Sequence, residues 1–308
     1  MASPMTASQF AKALRDEGLT VVEVGDWEDH NRNSKGPFGP VNGVMIHHTV
    51  TKGSARTVDI CRNGYDGLPG PLCHGVITKD GRVHLVGYGR ANHAGLGDDD
   101  VLRAVIDEKT PPADNEANTD GNRHFYGFEC ENLGDGDDPW PAAQLEAIER
   151  AAAAICRHHG WNERSVIGHM EWQPGKVDPR GFTMASMRTR IAGRLGSKKP
   201  AAPLPPPKRP VVDLSELVKA ARTNPSMKGT PVTYAGTRIV EAALVDEGVL
   251  AKPRLDGHFG SDTVIAYSRW QLKLYPGAST KPGGAADGIP GKTSLVRLGQ
   301  RHGFDVRN

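Results

Sequence analysis

The stretch GHMEWQPGKVDPRG, Gly168 to Gly181, sets His169, Lys176 and Asp178 within ten residues, on backbone whose glycines and prolines forbid a regular helix. Those residue types suit a catalytic zinc. Such an ion takes three protein ligands, with nitrogens at about 2.0–2.1 Å and a carboxylate oxygen at about 2.0–2.2 Å, and keeps a fourth position for water. His169 and Asp178 are a candidate pair, presented from a strand end and the loop after it. A third ligand has to come from another strand end, and IHHT, Ile46 to Thr49, offers His47 and His48. Neighbours on a strand face opposite ways, so only one of the two can point at the ion. Hydrolysis also needs a proton acceptor and a cation for a developing oxyanion. Glu129 and Glu131 share the polar face of HFYGFECENLG, opposite Tyr126, Phe128 and Cys130, and Lys176 lies between the two loop ligands. Taken singly, His47 would read as a core histidine and Lys176 as a solvated loop cation. The combination gives them weight.

The elements that must bring these residues together are legible in outline. VNGVMIHHTV is a continuous apolar run rich in β-branched residues, as a buried central strand requires. HGVITKDGRVHLVG reads as a hairpin turning at Asp80-Gly81. PAAQLEAIERAAAAICRHHG carries Leu145, Ile148, Ala152 and Ile155 at helical spacing and stops at Gly160, SVIGH is a short strand, and residues 182–195 return to helix. MASPMTASQFAKALRDEG reads as a short amphipathic helix with Phe10, Ala13 and Leu14 on one face and Gly18 as its stop. Asp137 and Asp138 are expected to start a helix rather than bind an ion. Strands interleaved with helices, with one hairpin, predict an α/β domain: a mixed central β-sheet flanked by helices.

At 308 residues the chain is long enough for two domains, and 37% hydrophobic with 24% charged residues marks globular protein. No run of eighteen apolar residues exists, which excludes a membrane-spanning helix, and the first residues do not have the pattern of a secretory leader. SKKPAAPLPPPKRP, Ser197 to Pro210, is dense enough in proline to act as a spacer. It divides a first domain, 1–196, from a linker, 197–212, and a second domain, 213–308, with helices expected over 215–222, 237–247, 261–274 and 293–299. Residues 196–308 hold 17 Lys and Arg against 9 Asp and Glu, while the first 195 hold 21 against 27. A basic tail on an acidic body suits a polyanionic partner, and charge alone does not choose among nucleic acid, lipid and wall polymer. Cys61, Cys73, Cys130 and Cys156 form no CxxC pair. Cys130 and Cys156 read as buried thiols, whereas Cys61 and Cys73 flank a turn-rich segment and are either joined or free.

HHT, YGFECEN and GHMEW-PGK-DP, in that order, resemble the zinc-dependent N-acetylmuramoyl-L-alanine amidases of the peptidoglycan-recognition superfamily (amidase type 2), which include many phage endolysins. The similarity covers about residues 38 to 195. It implies Zn2+ held by His47, His169 and Asp178, with Lys176 stabilising the tetrahedral intermediate. His48 reads as a support behind the ligands or as packing. Family members handle the proton with a tyrosine ahead of the hairpin or a glutamate on the later strand. The tyrosine position here holds Cys73, in PLCHGV, and the resemblance gives the role to Glu129. GRANHAG is similar to the family's groove wall and implies Asn92 and His93 beside the substrate. The tail segments YAGTRIVEAALVDEGVL, LDGHFGSDTVIAYSRWQLKL and ADGIPGKTSLVRLG resemble a small three-helix peptidoglycan-binding module. In it Phe259 and Trp270 are expected in the core, with Tyr267 and Arg269 as wall contacts.

The function this implies is hydrolysis of the amide between N-acetylmuramic acid and the L-alanine of the stem peptide. The expected setting is a monomeric phage endolysin, made in the host cytoplasm without a signal peptide and acting on the wall after release. Its partner would be peptidoglycan, with no nucleic acid and no stable membrane insertion. The rival readings are a bacterial autolysin or recycling amidase, a non-catalytic peptidoglycan-recognition protein, which Asp178 argues against, and a nucleic-acid-binding tail. The last predicts aromatics interleaved with Lys and Arg on one face, where the tail has glycine turns instead.

Overall fold

In the computed structural model, which describes residues 2–197, 209–223 and 232–308, the chain forms two compact units, Met1–Pro207 and Lys208–Asn308. Residues 198–208, most of the expected linker, lie outside the described residues.

The first unit runs α1 (Ala7–Asp16), β1 (Val21–Glu23), β2 (Gly43–His48), α2 (Ser54–Asn63), β3 (Gly64–Tyr65), β4 (Leu68–Pro69), β5 (Gly75–Ile77) and β6 (Val83–Leu85). It continues through β7 (Leu96–Gly97), α3 (Asp99–Ile106), β8 (Thr119–Asp120), α4 (Gly121–His124), β9 (Phe125–Cys130), α5 (Ala142–His159), β10 (Val166–Gly168) and α6 (Met184–Leu195). Six of these strands make one sheet in the order β1-β6-β5-β9-β2-β10. Only the β5–β6 hairpin is antiparallel, so the sheet is mixed.

All six residues of β2 are buried, because the sheet is covered on both faces. Val44 and Ile46 join a large core with Phe10, Leu14, Ile148, Ile155 and Ile191 from α1, α5 and α6. Met45 faces the other way, into a smaller core with Phe125, Ile167, Trp172 and the α3 residues Val101 and Val105. That alternation puts His47 on the side of Met45 and His48 on the side of Ile46. Register then does the rest. In the parallel β2–β9 pair His47 stands opposite Glu129, and in β2–β10 Ile46 stands opposite Gly168, the residue before His169. The candidate residues therefore collect at the carboxyl ends of three adjacent parallel strands, where open α/β sheets bind their ligands.

Helix α1 opens with a Thr6–Gln9 capping box and is riveted to the sheet by Phe10. That ring stacks on Tyr126 and Phe128 at 5.6 and 6.0 Å, and the Met5 N–H donates to the Tyr126 hydroxyl at 2.8 Å. Helix α5 begins at Ala142 and is closed by Gly160 in the left-handed region. Asp137 and Asp138 do not start it. Their N–H groups bond Asp135 Oδ1, Asp138 also pairs with Lys79, and Pro139 and Pro141 delay the helix.

The second unit carries α7 (Leu214–Thr223), α8 (Thr237–Asp246), α9 (Ser261–Leu274) and α10 (Lys292–His302) among the described residues, where a three-helix module was expected. A parallel pair, β11 (Val211–Asp213) with β12 (Asp305–Arg307), joins its two ends. Leu217, Val240, Leu244, Phe259, Trp270, Leu295 and Leu298 form its core. Tyr267 belongs to that core too, which corrects its expected role. It is fully buried and its hydroxyl shares a hydrogen bond with Ser294 Oγ at 3.0 Å, so it offers no surface to a wall polymer. Arg269, on the outer face of α9, remains exposed. No described helix is long and apolar enough to cross a membrane.

Candidate metal and catalytic site

His47, at the end of β2, is positioned by the strand itself. His169 opens the turn His169–Glu171 directly after β10, and that turn is held by Glu171. The Glu171 carboxylate accepts the Gly168 N–H and both Arg188 guanidinium nitrogens, at 3.1, 2.9 and 2.7 Å, tying the turn to α6. Asp178 returns to the same place because the Met170 N–H donates to its carbonyl at 2.7 Å. His48, on the opposite face of β2, accepts the Arg180 N–H at 3.1 Å, while Arg180 reaches the Gly134 carbonyl. These contacts clamp the Asp178 loop to β2 and to the segment that follows β9.

Three atoms converge from these anchors. His47 Nδ1 lies 3.0 Å from His169 Nδ1 and 3.1 Å from Asp178 Oδ2, and the last two are 3.2 Å apart. Ligand atoms around a tetrahedral ion with bonds near 2.0–2.1 Å stand roughly 3.3 Å from one another, so the spacing fits one. The donor chemistry fits as well. His169 Nε2 donates to Gln173 Oε1 at 3.2 Å, which leaves Nδ1 with its electron pair aimed at a carboxylate oxygen. Two electron-pair donors at that distance repel unless a cation lies between them. Burial lowers the pKa of His47 to about 4 and keeps it a neutral imidazole. Burial works against the Asp178 carboxylate, yet the two imidazoles outweigh it and hold its pKa below the usual carboxylate range.

Glu129 stands beside this group with Oε1 4.0 Å from His47 Nδ1, and its Oε2 is buried without a hydrogen-bond partner among the described residues. Burial, with Cys61 and Asp178 nearby, pushes its carboxyl well up, while Lys176 acts the other way. Glu131 has the same parity and is out of contention. Its carboxylate accepts the N–H groups of Gly53 and Lys79 and the Ser54 hydroxyl, at 2.9, 3.1 and 2.6 Å. Lys176 is exposed at the rim, with no ion pair among the described residues.

The site opens into a cleft of about 380 Å³ whose lining includes the apolar Val50, Ile60, Tyr65, Leu68 and Leu72. Asn92 lines it as expected. His93 is a different matter. It reaches the cleft floor but is only 8% exposed, and both ring nitrogens are committed inside the protein, so it has no free polar atom for a substrate. Cys61 and Cys73 meet in one small buried cluster as free thiols, and hydrogen bonding to Cys73 together with burial pushes the Cys61 pKa up.

Residues 37–181 match the family described as N-acetylmuramoyl-L-alanine amidase. No curated protein matches the sequence. Among solved structures the chain is similar to an endolysin N-acetylmuramoyl-L-alanine amidase from Clostridium intestinale, at 15% identity and a TM-score of 0.38, over 56% of this chain and 95% of that one. It is also similar to the Staphylococcus aureus hydrolase AmiA, at 13% identity and a TM-score of 0.41, over 66% and 98%. A Drosophila PGRP-LB mutant aligns at 16% identity and a TM-score of 0.37, over 56% and 95%.

Proposed function

We propose that the first unit, whose residues 37–181 match the N-acetylmuramoyl-L-alanine amidase family, is a zinc-dependent lytic enzyme that cuts the lactyl–L-alanine amide of the stem peptide of peptidoglycan. One observation carries the zinc reading: His47 Nδ1, His169 Nδ1 and Asp178 Oδ2 meet within 3.2 Å of one another beside a carboxylate oxygen that has no partner among the described residues. Bound zinc supplies a Lewis acid that acidifies water and polarises a carbonyl. The chain's own residues do the rest. Glu129, which lines the cleft beside His47, accepts a proton from the attacking water and later returns one to the alanine nitrogen as the C–N bond breaks. Lys176, unpaired at the rim, faces the negative charge that develops on the amide oxygen.

The test is direct. Elemental analysis of the purified chain is expected to give one zinc per molecule, and isolated walls are expected to release free N-terminal alanine, a release that a chelator abolishes. Release of reducing sugar instead would identify a glycosidase. His169→Ala is expected to lose both metal and activity.

We further propose that the second unit holds the enzyme on the wall, and that the whole is a phage endolysin acting on the host wall after release from the cytoplasm. The excess of basic residues from 196 to 308 supports an anionic, insoluble partner. A second binding site on a short linker raises avidity by ~10²–10⁴. Arg269→Glu in the intact chain is expected to weaken co-sedimentation with walls several-fold. Unchanged co-sedimentation would remove Arg269 from the contact.

A further inference from the structure

We propose that His93 is a positioning residue that fixes the tautomer of His47, so that Nδ1 and not Nε2 carries the free electron pair at the metal position. The inference rests on reading His47, His169 and Asp178 as the ligand set.

One chain of hydrogen-bonded atoms links the Phe125 carbonyl to His47 through His93. His93 Nε2 lies 3.2 Å from the Phe125 carbonyl oxygen, which can only accept, so this nitrogen bears the proton. A neutral imidazole has one N–H, which makes His93 Nδ1 an acceptor. Its partner is His47 Nε2 at 3.1 Å, which must therefore donate. His47 is then left with a bare Nδ1, and that atom is the one 3.0–3.1 Å from His169 Nδ1 and Asp178 Oδ2.

The neutral state of His93 is enforced by its surroundings. The ring is buried, and its ring neighbours are His47 at 5.2 Å and His74 at 5.8 Å. His74 cannot compete for the proton, since its Nε2 donates to the Gly89 carbonyl and its Nδ1 accepts the Gly127 N–H.

The seat of the ring is built as firmly as its protonation. The N–H groups of His93 and Ala94 both donate to Asn122 Oδ1 at 2.8 Å. Gly127 lies beneath the ring, and a Cβ there would stand 2.6 Å from His93 Cγ and Nδ1. The glycine in YGFECEN is thus the space that His93 fills. Fixing a ligand's far nitrogen in this way sets both its tautomer and its ring orientation.

The experiment measures zinc affinity of the full chain by competition with a chromogenic chelator. His93→Leu fills the seat without an acceptor and is expected to weaken zinc binding ~10–100-fold. His93→Asn restores an oxygen near the Nδ1 position and is expected to recover most of that loss, which a purely structural role would not produce. Zinc affinity in folded His93→Leu within about twofold of wild type overturns the proposal while leaving the ligand set intact. Absence of zinc binding in the wild-type chain overturns both. Ring-nitrogen NMR of the zinc-loaded wild type decides the matter even if His93→Leu does not fold. Protons on His47 Nε2 and His93 Nε2 support the proposal, and a proton on His47 Nδ1 or His93 Nδ1 overturns it.

Discussion

Glu129 and Lys176 can be separated from the ligands by experiment, because neither is needed to hold the ion. Glu129→Gln keeps the shape of the side chain and removes its basicity. It is expected to retain zinc and to lower kcat by ~10²–10⁴; loss of zinc with it would make Glu129 a ligand instead. Lys176→Ala is expected to lower kcat by ~10²–10³ with little change in zinc content, measured as alanine release at saturating wall concentration. The sequence carried these residues a long way, since strand parity leaves one of His47 and His48 for the metal. Parity alone could not choose between Glu129 and Glu131, which share it; only the family resemblance favoured Glu129. What separates them is a set of three donors from Gly53, Ser54 and Lys79, far off in the chain, that occupy one carboxylate and not the other. His93 was misplaced for a similar reason: its partners, Phe125 and His47, are brought to it only by the fold.

At the scale of elements, Glu131 is the staple that joins the end of β9 to the start of α2 and the turn after β5. It is 3% exposed, so removing it strands three donors in a dry place. Glu131→Ala is expected to destabilise the first unit by about 2–4 kcal/mol, read from urea unfolding. An unchanged midpoint would mean that water takes over those bonds. Elements with strong local periodicity, such as β2, the β5–β6 hairpin, α5 and α9, were legible from the residues alone. The β11–β12 pair was not, because three residues at each end of the unit meet across more than ninety positions and neither alternates long enough to announce itself. Tyr267 was legible and misread. It lies on the same stripe of α9 as Thr263, Ala266, Trp270 and Gln271, and a stripe with that spacing faces the core.

Over the whole molecule, the two units answer to different chemistry. The second contains a buried carboxyl, Glu241 on α8, which accepts the Gly257 N–H at 2.7 Å and the Thr263 hydroxyl at 2.9 Å. Burial raises its pKa to about 7 against hydrogen bonds that lower it. Between the ordinary carboxyl range and pH 7 the folded state therefore binds a proton that the unfolded state has released, and stability falls as pH rises through that window. The second unit is expected to lose on the order of 2 kcal/mol between pH 5 and pH 8 from this group. Glu241→Gln, which can still accept from Gly257 and donate to Thr263, is expected to flatten the dependence. Calorimetry of the full chain at the two pH values checks it, and a wild-type profile as flat as the variant's would refute the assignment.

The pairing of His47 with Glu129 across two parallel strands has a further consequence. Their separation is a rung of the ladder, a dimension of backbone hydrogen bonding that no surrounding loop can stretch. The segments that rim the cleft, including the small hairpin of Tyr65 and Leu68, can therefore be exchanged or lengthened to suit another wall chemistry while the reacting centre keeps its measure. Anyone wishing to retarget this enzyme should edit the rim and leave the rungs alone.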